Sequence, residues 1–445
     1  MSVYADYATF LASKRRRVEP LGRTVDPGSV HPRLHDWQRE LVLWAVRTGR
    51  AALWWDTGLG KSGAQIEWAR LSIEPNPAGN ALIVAPLAVC HQTVEEAAKL
   101  DVDATYVRSP DQVTGPGVWV TNYEMAMRFP AGLFDAVVLD EASILKAHDG
   151  KTRNALIKQF AGVPYRLACT ATPAPNDVAE LTSQAEFLGL MSRREMLSTY
   201  FVHDEDGWRL KRHARGPMFR WMATWAAALR SPADLGHPDG DYQLPPLHIR
   251  THLIPTSAAR WGDGLFELPG ASALHGVTGR AAVRKATVQE RCAHAVGLVA
   301  AEPGETWLLW AGRNDEAELL AREIPGAVNV HGAMSPEEKA ELLVAFARGG
   351  IRVLVTKPSI AGFGMNWQVA ARTAFVGLSD SYEQYYQAIR RLWRYGQTRE
   401  VHAHIVLTDL EAPIAENIHR KETEADRLIA ELVSAMSPIR KALAA

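Results

Sequence analysis

Short apolar runs recur along this chain, separated by stretches with helical spacing. In the first half the runs are AALWW (Ala51–Trp55), ALIVAP (Ala81–Pro86), VWVTNY (Val118–Tyr123), AVVLD (Ala136–Asp140) and RLACTAT (Arg166–Thr172). In the second half they are TWLLWAG (Thr306–Gly312), AVNVHG (Ala327–Gly332), IRVLVT (Ile351–Thr356), TAFVG (Thr373–Gly377) and VHAHIVLT (Val401–Thr408). Near-continuous apolar strands alternating with helices predict a parallel sheet covered on both faces, and the pattern occurs twice.

Between the halves, roughly Met191 to Lys285, the chain is rich in Arg, Trp, His, Pro and Gly and shows no clear strand alternation. Here Phe219–Arg230 reads as a helix and Ser231–Pro246 as a loop or linker. Beyond it, Val288, Cys292 and Val296 fall at four-residue spacing, one face of a helix. The stretch Ile414–Met436 reads as a long amphipathic helix burying Leu428, Ile429, Leu432 and Val433. The expected division is an N-terminal extension (1–33), a first α/β domain (34–190), an insertion and linker (191–285), a second α/β domain (286–412) and a terminal helix (413–445).

At 445 residues the chain suits two or three domains, and 47% hydrophobic residues are enough for large cores. Most of its fourteen tryptophans are expected in those cores. No apolar run reaches the length of a membrane span, and the first residues lack the basic-then-apolar order of a secretory signal. Cys90, Cys169 and Cys292 lie far apart with no paired spacing, which argues against a zinc site or disulfide framework and fits a reducing cytoplasm. A net charge of -1 leaves any nucleic-acid surface to be local.

The stretch DTGLGKSGAQ follows an apolar strand and opens a helical run. Glycines let backbone N–H groups approach phosphate oxygens, and a helix N-terminus adds the positive end of its dipole. Thr57, Gly58 and Gly60 would form the cradle, Lys61 would reach the terminal phosphates, and the Ser62 hydroxyl would ligate magnesium. Trp55 stands where the full pattern has its first glycine, and a helix-capping glycine turn is the competing reading. VVLDEAS ends an apolar strand in two carboxylates: Asp140 to organise magnesium, Glu141 to act as general base on water. A solvated strand end competes there. Order and spacing favour hydrolysis, because a phosphate loop needs a magnesium-organising acid on a later strand of the same sheet.

From Leu34 to Leu407 the sequence resembles the superfamily-two helicases, particularly the Swi/Snf-like DNA translocases. The resemblance implies two tandem RecA-like domains, α/β with parallel sheets, and a helical insertion between them. LHDWQRELV is similar to the adenine-recognising segment, which puts Gln38 on the adenine edge. DTGLGKS resembles the first motif, where a missing first glycine is normal. DEAS resembles the D-E-A-H box with Ser143 in place of His. CTATPAPND resembles the motif coupling nucleotide state to domain closure, through Thr170 and Thr172. VLVTKPSIAGFGMNW resembles the fifth motif, with Gly362, Gly364 and Asn366 matching and Gly364 at the nucleotide. QAIRRLWRYGQT resembles the sixth. Arg391 and Arg394 are three apart, which on a helix gives them one face, from which two guanidiniums can clamp a γ-phosphate.

The resemblance further implies a nucleic-acid track. Its expected contacts are the loop Ala85–Gln92, Thr121 and Asn122 on the first domain, and Thr356 and Lys357 on the second; such groups position a backbone without reading bases. WRLKRHARGPMFRW (Trp208–Trp221) mixes cations with aromatics, as phosphate contact with stacking would need, or as a solvated face beside a tryptophan core would show. Lys14–Arg17 reads as a phosphate-contacting arm or a solubilising tail. The expected activity is that of a nucleic-acid-stimulated ATPase using ATP and Mg2+, a monomeric translocase on double-stranded DNA. Compact motors of this kind resemble those of phages and prophages. Competing readings are a strand-separating DNA or RNA helicase, a nucleotide-gated DNA-binding subunit, and a kinase, which would leave the second α/β half unexplained.

Overall fold

Apolar runs too hydrophobic for a half-exposed strand must be covered on both faces, and here they form two parallel sheets. The computed structural model describes residues 18–147, 150–205, 207–255, 284–361, 366–379 and 381–436. The chain divides into two compact units, one drawn from residues 1–242 with 424–445, the other from 243–423.

The first unit contains β1 (Arg50–Trp55), β2 (Asn80–Ala85), β3 (Ala104–Tyr106), β4 (Gly117–Asn122), β5 (Ala136–Asp140), β6 (Tyr165–Cys169), β7 (Phe201–Asp204), β8 (Gly207–Leu210) and β9 (Ala226–Leu229). Seven of these make one sheet in the order β3-β4-β2-β5-β6-β1-β9, parallel at every pairing, while β7 and β8 form a separate antiparallel hairpin. Five of the six residues of β1, β2 and β4 are buried, and all five of β5. Helices such as Lys61–Ile73 and Cys90–Ala98 connect these strands, so the strands' carboxyl ends gather at one edge of the sheet.

The second unit contains β10 (Leu247–Ile254), β11 (Trp307–Ala311), β12 (Ala327–Asn329), β13 (Val353–Thr356), β14 (Arg372–Val376) and β15 (Val401–Thr408). Its sheet runs β10-β15-β14-β11-β13-β12, again all parallel. Val288, Cys292 and Ala295 of the helix Val288–Ala301 pack on this sheet with Val296 beside them, as the four-residue spacing predicts. Trp54, Trp55, Trp68, Trp225, Trp307, Trp310 and Trp367 are fully buried, so the tryptophans do serve the cores.

The stretch between the halves holds more strand than its sequence suggests. Phe219–Arg230 is not one helix: the helix Arg215–Met222 ends, and Ala226–Leu229 pairs with β1 as an edge strand. Pairing with β1 overrides the helical preference of the alanines. LHIRTHLI forms β10 because its polar positions, His248, Arg250 and His252, share one face of the sheet's edge strand. The terminal helix runs Ala412–Ala435. Leu428, Leu432 and Val433 are buried along it, and Ile429 half-buried. Within the first unit its end is fixed by Glu431, whose Oε2 lies 2.6 Å from Arg215 Nε.

Candidate nucleotide site and second-unit arginines

The turn after β1 requires left-handed backbone. Gly58 has φ +90°, and Gly60 has φ +76° as it caps the helix Lys61–Ile73. A Cβ on Gly60 would sit 2.3 Å from Gln38 Nε2, so a side chain there would displace the Gln38 amide as well as strain the backbone. Thr57 N–H donates to Asp56 Oδ1 (2.6 Å), which tightens the bend. Lys61 Nζ donates to Trp55 O (2.7 Å) and Asp56 O (3.1 Å), so its ammonium curls over the strand end. Ser62 sits half-buried in the first helical turn. Gln38 is buried; it accepts from His35 N (2.9 Å) and donates to Leu59 O (2.8 Å). The segment expected to read adenine is thereby tied to the turn, and the amide keeps one N–H and one lone pair for a ligand.

Asp140 ends β5 in a nearly buried position. Burial pushes its carboxyl above the ordinary range; the Lys61 charge, the Gln65 amide and the Glu141 backbone N–H pull it down without overcoming burial. Glu141 follows in the left-handed region (φ +56°, ψ +53°), unusual for a residue with a side chain and costing on the order of 1–3 kcal/mol. The Thr170 hydroxyl lies 3.5 Å from Glu141 Oε2 and accepts from Thr172 N (3.1 Å). Ionisation of Tyr123 and Cys169 is disfavoured by burial, reinforced by the Asp140 charge. The structure therefore brings Lys61, Asp140, Glu141, Thr170 and Gln38's turn to the carboxyl ends of β1, β5 and β6. Magnesium takes oxygen ligands, and a hydroxyl on the first turn of the helix after the glycines with a carboxylate at the end of β5 are donors of that kind, so Ser62 and Asp140 fit that ion in chemistry.

Gln65 carries a functional signal that its sequence does not reveal. It lies one turn beyond Lys61 on the same helix face, fully buried, and close enough to Asp140 to lower its pKa. Its amide faces the Asp140 carboxylate and favours its charged form, but neither Oε1 nor Nε2 makes a well-aligned hydrogen bond among the described residues. Glutamine inside a helical run reads as a solvated residue. Only the tertiary structure shows it among buried charges.

The second unit differs at its corresponding turn. Gly312 N and Arg313 N, after β11, both donate to Glu316 Oε2 (2.9 Å each), and Arg291 NH2 lies 2.6 Å from Glu316 Oε1. A carboxylate of the chain itself thus fills the amide cradle. Beside it, at the carboxyl ends of β11, β13 and β14, is a cavity of about 200 Å³ lined by Arg284, Arg313, Lys357, Ser359, Ser379 and Gln384, among others.

Arg391 and Arg394 do not share a helix face. The helix Tyr382–Ile389 ends before them, Arg390 packs over the Trp393 ring at 4.5 Å, and both lie in the turns leading to Gly396 (φ +88°). Arg391 is buried, with NH2 donating to Gln387 Oε1 (3.2 Å). Arg394 is half-buried; burial lowers its guanidinium to about 10, and no described residue accepts a hydrogen bond or ion pair from it. It remains cationic at neutral pH, with its desolvation uncompensated.

Several expected track contacts are corrected. The Thr121 hydroxyl is buried and donates to Val107 O (2.7 Å). The Asn122 carboxamide caps the short helix Tyr123–Ala126 and donates to Tyr106 OH (2.8 Å). The Thr356 hydroxyl is buried and donates to Val330 O (3.0 Å). The two hydroxyls already donate inside their own units, and the Asn122 amide, though it keeps one N–H, is buried; Lys357 stays partly exposed at the cavity. In Trp208–Trp221, Arg209 pairs with Asp204, Lys211 donates to Ser198 O and Thr199 O, and Trp221 is core against Trp225 (5.4 Å). Lys14–Arg17, Gly362 and Gly364 lie outside the described residues.

The SNF2-related domain model matches residues 34–200, and the helicase conserved C-terminal domain model matches residues 291–396. A search of curated protein sequences returns no match. Among solved structures, the SWI2/SNF2 ATPase core of Sulfolobus solfataricus in complex with dsDNA is 18% identical, with 94% of this chain and 97% of that chain covered at a TM-score of 0.45. The Sulfolobus solfataricus SWI2/SNF2 ATPase core domain is also 18% identical, with 90% and 91% covered at 0.44. With the two domain models matched in tandem over more than half its length, the chain belongs to the Swi/Snf-like family of superfamily-two helicases.

Proposed function

We propose that this protein is an ATP-dependent motor that translocates on double-stranded DNA and remodels DNA or protein–DNA complexes. The observation that carries the reading is the buried Asp140 carboxylate held under the influence of the Lys61 ammonium, beside a turn whose glycines take left-handed backbone. ATP is the substrate. Lys61 and the Thr57–Gly60 turn bind its phosphates, Gln38 meets the adenine edge, and Ser62 and Asp140 hold Mg2+, which supplies charge neutralisation at the phosphates. Glu141 orients water and accepts its proton, with Thr170 beside the carboxylate. Thr170 and Thr172 couple that carboxylate to the strand end of β6. In the second unit Arg394, desolvated and without a carboxylate partner, supplies charge to the transition state, and Arg391 supports it.

Duplex DNA as the track rests on the SNF2-related match and on the sequence motifs. With the Thr121 and Thr356 hydroxyls already donating within their units and Asn122 buried, backbone N–H groups and partly exposed cations such as Lys357 remain to grip phosphates. The test is steady-state ATPase with duplex DNA, single-stranded DNA and RNA at fixed salt, because phosphate contacts are salt-dependent. Duplex DNA should raise the rate at least tenfold and more than the others. Stimulation by RNA or single strands alone would favour a strand-separating helicase, and no stimulation by any would remove the motor reading.

A further inference from the structure

In the second unit, β10 and β15 carry histidines at facing positions. His248 is the register partner of His402, and Glu400 stands immediately before β15, two residues ahead of His402. The His248 and His402 rings are 4.8 Å apart between centroids, their planes 31° apart. His248 Nε2 lies 3.1 Å from Glu400 Oε2, and one ligand atom from each of the three residues falls within 4.8 Å of the others. The His248 and Glu400 side chains are exposed and His402 is half-buried, so an ion can reach the group from solvent.

We propose that His248, His402 and Glu400 bind one divalent transition-metal ion of the zinc class. Two imidazoles and a carboxylate are a donor set that zinc accepts, with a fourth position left to water. Zinc–ligand bonds of ~2.0–2.2 Å put tetrahedral donor atoms about 3.3 Å apart, so the His248–Glu400 pair is already spaced for a shared ion. The rest is reached by side-chain rotation. Arg250 on β10 and Arg372 on β14 face His402 and oppose a bound cation; Arg372 is paired with Glu302 Oε2 (2.6 Å), which offsets part of that charge. The ion would join the edge strand β10 to β15 by ligands from both strands, in addition to their backbone pairing. The competing explanation is an edge strand kept polar to avoid pairing with other chains, without metal affinity.

The test uses the full chain, stripped with a chelator and titrated with Zn2+ in competition with a chromophoric chelator. Co2+ absorption provides a second reading of the ligand field. One equivalent should bind at micromolar or tighter affinity, and tenfold saturation should raise the melting temperature by about 3 °C. His248→Ala and His402→Ala should each remove the site, and Glu400→Gln should weaken it about tenfold. His248→Gln serves if the alanine variant fails to fold. Affinity weaker than ~100 μM, or tight binding unchanged in these variants, overturns the proposal. So does binding lost in His252→Ala and kept in His248→Ala, which would move the ion to the neighbouring His252–His404 pair (2.9 Å).

Discussion

Replacing Gln65 with leucine should make the protein more stable and a worse ATPase. The Gln65 side chain is fully buried, and its amide, turned to Asp140, makes no well-aligned hydrogen bond among the described residues. A buried unsatisfied polar group costs roughly 1–3 kcal/mol, and leucine is close enough in size to leave no large cavity. Part of the gain is offset, because the amide favours the ionised Asp140 carboxylate. A net gain of about 1–2 kcal/mol remains, or about 2–8 °C in the melting of a unit this size. The sign with pH follows from Asp140. Its folded pKa is raised, so its contribution to stability is present below the ordinary 3.8 and is lost as pH rises through the folded value. Removing Gln65 moves that folded value higher still. The stability advantage of Gln65→Leu should therefore be greatest at acid pH and shrink as pH rises. The acid limb of its kcat profile should shift upward, with kcat reduced about tenfold at neutral pH. Calorimetry of the full chain and a pH series of turnover measure both effects. A variant that is less stable than the parent, with an unchanged pH profile, would refute the reasoning.

Glu141→Gln should bind ATP with near-parental affinity while turnover falls at least a hundredfold in a single-turnover assay; parental turnover would refute its role as base. Arg394→Ala should lower kcat about a hundredfold and change KM for ATP little, since its charge acts on the transition state, whereas a pure affinity defect would contradict that. Gly60→Ala meets Gln38 Nε2 at 2.3 Å and a φ of +76°, so it should cost about 1–3 kcal/mol and weaken nucleotide binding, read by denaturation and by fluorescent-nucleotide titration. Lys61→Ala should weaken nucleotide binding about tenfold or more in the same titration.

The two parallel sheets were legible because buried strands such as NALIVA and AVVLD are apolar on both faces, a pattern that survives without tertiary information. The glycine turn and the acidic strand end were legible because their chemistry depends on residue type at short spacing. What escaped depends on neighbours far along the chain. Ala226–Leu229 becomes a strand only because β1 has a free edge, and β10 hides its alternation behind histidines and an arginine. Thr121 and Thr356 look like exposed donors in sequence, yet carbonyls fourteen and twenty-six residues away take their hydroxyls. The spacing of Arg391 and Arg394 promised a helix face that ends at Ile389. Gln65 shows its significance only once burial places it against Asp140.

The central claim is that ATP turnover at the Lys61–Asp140–Glu141 site drives movement along duplex DNA. Displacement of a third strand from a triplex by the intact protein measures this directly, because translocation ejects the strand without separating the duplex. Displacement is expected with ATP and Mg2+, none with a non-hydrolysable analogue, and none by Glu141→Gln. Robust DNA-stimulated hydrolysis with no triplex displacement under any duplex length or polarity would contradict it.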